Sequence, residues 1–101
     1  MTLPTKLVNL NIQLIPIDSA AAAYPVIDKA IALIQASHLP HVVGPFGTSI
    51  QGNYAALRQL VDDINATLQD AGQEEWVLNL QWHIKAFADV TMSEKTQKFN
   101  S

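Results

Sequence analysis

Between Val8 and Leu14 every second residue is apolar and every residue between is a carboxamide. Val8, Leu10, Ile12 and Leu14 alternate with Asn9, Asn11 and Gln13. A period of two defines a strand with one face on a core and the other turned away from it. Trp76 to Ala86 repeats the pattern, with Leu78, Leu80, Trp82 and Ile84 on one face and Val77, Asn79, Gln81, His83 and Lys85 on the other.

Two helical stretches lie between these strands. Ile27, Ala30, Ile31 and Ile34 recur at helical spacing after Asp18-Ser19, whose side-chain oxygens can cap a helix. Pro25 fits only in a first turn, so regular helix is expected from about Tyr24, ending before Pro40. Leu57, Leu60, Val61, Ile64 and Leu68 form a longer stripe, capped by Asn53 and stopped at Ala71-Gly72. His41 to Phe46 and Thr48 to Gln51 are short strand-like runs about Gly47, expected to pair as a hairpin with an edge strand. Thr91 with Glu94 three residues on has the spacing of a capping box, so a short helix is expected there, fraying by Ser101.

The order βαββαβ, with two right-handed crossovers, gives an α+β ferredoxin-like sandwich. Both helices cover one face of a four-stranded antiparallel sheet, and a short helical tail follows. One hundred and one residues make one domain, 1–101. With 49% hydrophobic residues it can form a core without metals or disulfides, and it has no cysteine. A net charge of −3 offers no electrostatic footprint for nucleic acid or anionic lipid. No apolar run is long enough to cross a bilayer. Lys6 and the residues after it superficially resemble a secretory leader, but Asn9, Asn11, Gln13 and Pro16 interrupt it, so a cytoplasmic protein is expected.

Asn and Gln are poor strand formers, yet Asn9, Asn11, Gln13, Gln51, Asn79 and Gln81 all fall in expected strands. With the first strand between the third and fourth, these amides become neighbours on the open face. Each amide offers a donor and an acceptor without charge, which suits a neutral heteroaromatic ring bearing an exocyclic amine. The same face also suits solvent or a dimer interface. One sheet face cannot enclose a small molecule, so a second subunit is the expected other wall. His83 lies among the amides, as a ligand contact, a general base or an interface residue. His38 and His41 flank the helix end at Leu39-Pro40 with no third ligand apparent, so no metal site is expected. Gly44 to Ser49 lacks the lysine of a phosphate loop and leads into a strand, so turn geometry accounts for its glycines.

The run Gly44-Pro45-Phe46-Gly47-Thr48-Ser49-Ile50-Gln51-Gly52-Asn53, ahead of the amphipathic helix, resembles the single-domain thiamine-binding protein family. The opening strand ending in Ile15-Pro16, the strand Leu80 to Lys85 and the tail Thr91-Met92-Ser93-Glu94-Lys95 agree with that family's pattern. The resemblance implies a ferredoxin-like homo-oligomer, dimer or tetramer, that binds thiamine or its hydroxymethylpyrimidine moiety, uses no cofactor and catalyses nothing. The family usually shows Thr-x-x-Glu-Gly. Here Thr48, Ile50 and Gly52 match, while Gln51 stands in place of Glu and Asn53 in place of Asp. A carboxylate can pair with a protonated aminopyrimidine, whereas an amide hydrogen-bonds to its neutral form.

The expected ligand contacts are Asn11, Gln13, Thr48, Gln51 and His83, with Phe46 as an apolar or stacking wall. Two other functions fit the same residues. One is a small dimeric enzyme such as a cofactor-independent monooxygenase, with His83 as base. The other is a pure oligomerisation or sensing module.

Overall fold

The computed structural model describes residues 1–99, so the expected fraying at Ser101 lies outside the described residues. The elements follow the expected order: β1 (Leu7–Pro16), α1 (Ala20–Ala36), β2 (His41–Val43), β3 (Thr48–Asn53), α2 (Tyr54–Asp70), β4 (Trp76–His83) and α3 (Met92–Thr96), followed by a 3-10 turn at Gln97–Phe99. The four strands form one antiparallel sheet in the order β2-β3-β1-β4. This is the ferredoxin-like arrangement, with β1 between β3 and β4.

The apolar half of each alternation meets the helices. Val8, Leu10 and Ile12 of β1 and Ile50 of β3 are buried together with Ala30 and Ile34 of α1 and Leu57, Leu60, Ile64 and Leu68 of α2. Trp82 packs against this core, its ring 5.0 Å from that of Tyr54. Trp76 also packs on it and donates its indole N–H to Asn65 Oδ1 at 3.0 Å.

Helix α2 begins and ends as its sequence dictates. Asn53 accepts from the Ala56 N–H at 2.8 Å. At the other end Gly72 takes φ +80° and Gln73 N reaches back to Leu68 O at 3.1 Å, the closing bond of a Schellman turn.

Helix α1 differs from expectation. It starts at Ala20, with Ser19 as its cap accepting from the Ala22 N–H, and Pro25 lies inside it rather than in its first turn. Pro25 and Ala21 are both exposed, so water can satisfy the Ala21 carbonyl that the proline leaves without a donor. The outer strands are also shorter than the alternation implied. β2 stops at Val43 because Gly44 to Gly47 form a turn closed by Gly44 N to Gly47 O at 2.8 Å, and β4 stops at His83.

The tail is fastened to the start of the sheet. The Leu7 N–H donates to Asp89 Oδ1 and the Val90 N–H to Leu7 O, both at 2.9 Å, and Val90 is fully buried. The capping box at Thr91 and Glu94 is formed, with hydrogen bonds in both directions. These contacts carry α3 across the sheet face opposite α1 and α2.

Candidate functional site

On that face the carboxamides of three strands stand side by side, as the alternation predicts. Asn9 sits between Gln51 of β3 and His83 of β4, and Asn11 between Ser49 and Gln81. Gln13 is level with Asn79, and Ile15 with Val77. Val42 of β2 extends the Asn11 row beyond Ser49.

Helix α3 divides this face into two parts. At the end it covers, Gln51 Oε1 accepts from the Met92 N–H at 2.8 Å. In the amide orientation that satisfies its neighbours, Asn9 donates Nδ2 to Val90 O at 3.0 Å and accepts from Lys95 Nζ at 2.9 Å. Asn9 is only 7% exposed, so a missing partner there would carry the desolvation cost of a buried amide. These two residues hold the tail.

Next to them is a groove of about 770 Å³, floored by Asn11, Ser49, Gln81 and His83 and bounded by Met92 and Lys95 of α3. Val42 adds an apolar wall, and no aspartate or glutamate lines the groove. Ser49 donates its hydroxyl to Asn11 Oδ1 at 3.3 Å, which orients the Asn11 amide. Gly47 is required where the hairpin passes this side chain: a Cβ on it would lie 2.9 Å from both Asn11 Nδ2 and Ile12 O. Beyond the groove, Asn79 donates to Gln13 Oε1 at 3.1 Å on the uncovered part of the sheet.

The expected site residues therefore separate into groups. Asn11 and His83 line the groove. Gln51 is on the same face with its side-chain oxygen committed to α3, and Gln13 lies farther along β1, paired with Asn79. Thr48 turns to the helix side of the sheet, 6% exposed, because it is an odd number of residues from Gln51 in the same strand. Phe46, on the turn, is 82% exposed. Both border a second, apolar hollow of about 190 Å³ between α1, β1 and the hairpin, lined also by Ile12, Leu14, Ile31 and Val43. Phe46 and Thr48 are thus not brought together with Asn11, Gln51 and His83.

The tail residues Met92 and Lys95 were missed as site residues. The capping box signalled their helix, but its landing place depends on Asp89, Val90, Asn9 and Gln51, residues far apart in the sequence. Among the described residues no group of three His, Asp or Glu side chains is arranged to hold a metal ion, and no helix is long and apolar enough to cross a membrane.

The fold recurs in known structures. A Thermotoga maritima protein provisionally described as a thiamine biosynthesis/salvage protein is 27% identical, with 92% of this chain and 98% of that chain covered at a TM-score of 0.85. A domain of unknown function from Bacillus cereus is 28% identical, with 94% and 91% covered and the same TM-score. A Streptococcus pneumoniae protein at 20% identity, with 90% and 98% covered and a TM-score of 0.75, shares the fold. No curated protein sequence matches the chain at a significant level. The sequence profile of the thiamine-binding protein family matches residues 10–100, nearly the whole chain. With a ferredoxin-like sandwich, a carboxamide-lined face and a match of this extent, the chain belongs to the thiamine-binding protein family.

Proposed function

We propose that the protein binds thiamine or its hydroxymethylpyrimidine moiety without catalysing a reaction, and acts in salvage or delivery within the cytoplasm. The observation that carries this reading is the convergence of Asn11, Ser49, Gln81 and His83 on one groove beside the apolar Val42 and Met92. An aminopyrimidine presents ring nitrogens that accept and an exocyclic amine that donates. Carboxamides answer both without charge, and apolar side chains suit its ring faces. Membership in the family and the provisional description of the Thermotoga maritima relative point to the same ligand class.

A second copy of the chain completes the enclosure in this reading. Ile15 and Val77 are exposed on the sheet face, 39% and 43% respectively, alongside the Gln13–Asn79 pair. Helix α3 does not cover that region in one protomer, and a homo-oligomer would bury it.

Thermal unfolding tests the ligand class. A compound at 100 times its Kd stabilises by about 2.7 kcal/mol. For a domain of this length each kcal/mol raises Tm by about 4–8 °C. Thiamine or hydroxymethylpyrimidine should therefore raise Tm by more than about 10 °C at that concentration, while unrelated aromatics should not. No shift with any aminopyrimidine would refute the proposal.

A further inference from the structure

The charge in the groove narrows the ligand further, on the footing that the groove takes an aminopyrimidine. Lys95 is the one lysine or arginine among its lining residues, and no carboxylate lines it. This runs against the net charge of −3 carried by the whole chain.

The ammonium is held in place. Asn9 Oδ1, on the sheet floor, accepts from Lys95 Nζ at 2.9 Å, and Asn9 is itself fixed by Val90 O. That contact uses one of three ammonium donors, leaving others for a ligand. The neighbouring carboxylate is turned elsewhere: Glu94 accepts from the Thr91 N–H at 3.2 Å and lies 3.8 Å from Lys85. Among the described residues no carboxylate lies within 4 Å of Lys95. His83, level with Asn9 across the β1–β4 ladder, lines the same floor.

A permanently cationic thiazolium beside this ammonium would meet like charge. An anionic substituent would meet a positioned donor in charge-assisted geometry. We infer that the preferred ligand is an aminopyrimidine carrying a phosphate monoester, its ring read by Asn11 and Gln81 and its phosphate held by Lys95.

Calorimetric titration of the full-length protein tests this with four probes: hydroxymethylpyrimidine, its phosphate monoester, thiamine and inorganic phosphate. The expected result is about five- to tenfold tighter binding of the monoester than of the alcohol at low salt, with the advantage shrinking as salt is raised. Lys95→Met should bring the two to equal affinity, and Lys95→Arg should restore the difference. Because Lys95 also contacts the buried Asn9, the readout for Lys95→Met is the ratio of the two affinities rather than either one alone, and the salt dependence in the unaltered protein reads the same preference without any substitution. Competition by inorganic phosphate against the monoester but not the alcohol supports a distinct phosphate position. If the alcohol binds and the monoester binds no tighter, if thiamine binds tightest, or if Lys95→Met keeps the preference, the inference is overturned while the aminopyrimidine reading stands. If no aminopyrimidine binds, both fall.

Discussion

The side-chain oxygen of Gln51 accepts the backbone N–H of Met92 at 2.8 Å, joining the middle of the sheet to the first turn of a helix 41 positions later in the chain. The fourth residue of the motif Thr48-Ser49-Ile50-Gln51-Gly52 thus holds in place the helix that walls the groove. The same oxygen would be supplied by a glutamate, so amide and carboxylate can fasten this helix alike.

Gln51→Ala leaves the Met92 N–H without its acceptor. We expect a stability loss of about 1–2 kcal/mol and faster hydrogen exchange at Met92. Gln51→Glu should retain slow exchange there. Chemical denaturation and amide exchange measure both effects, and unchanged exchange in the alanine variant would contradict the role assigned to this contact.

Gly47→Ala places a methyl group 2.9 Å from Ile12 O, a backbone atom that cannot move cheaply, and equally close to Asn11 Nδ2. The expected cost is about 1–3 kcal/mol, accompanied by weaker ligand binding because Asn11 is displaced. A variant as stable as the parent would show that the hairpin passes farther from β1.

Leu57 is fully buried between α2 and the sheet, in the cluster that includes Leu10 and Ile50. Leu57→Ala should cost about 2–5 kcal/mol in chemical denaturation, with an unchanged m-value if unfolding stays two-state.

Asn11→Ala removes a paired donor and acceptor from the groove floor and should weaken ligand binding about five- to tenfold. Phe46→Ala should leave affinity unchanged, because Phe46 borders the apolar hollow on the other side of the sheet. The opposite pattern in a titration would move the site to that hollow.

Much of this arrangement is legible in the residues themselves. The alternation from Val8 to Leu14 gives β1 and its amide face, and pairing order then makes its amides neighbours of those on β3 and β4; the register that sets Asn11 beside Ser49 and Gln81 is seen only in the folded sheet. Caps at Asn53 and Thr91 are local, so they too are readable. The start of α1 is not legible in the sequence, because whether a proline interrupts a helix depends on exposure, and here Pro25 and Ala21 both face solvent. The motif sets Thr48 and Gln51 close together in the chain, but strand parity puts their side chains on opposite faces. The reach of α3 over the sheet depends on Leu7 meeting Val90 and Asp89, contacts that no local pattern encodes.

NMR titration with hydroxymethylpyrimidine locates the bound aminopyrimidine. The side-chain amide signals of Asn11 and Gln81 and the backbone signals of Ser49 and His83 should shift together and saturate at one affinity. Shifts confined to Ile31, Phe46 and Thr48, with Asn11 and Gln81 unmoved, would contradict a ligand in the groove.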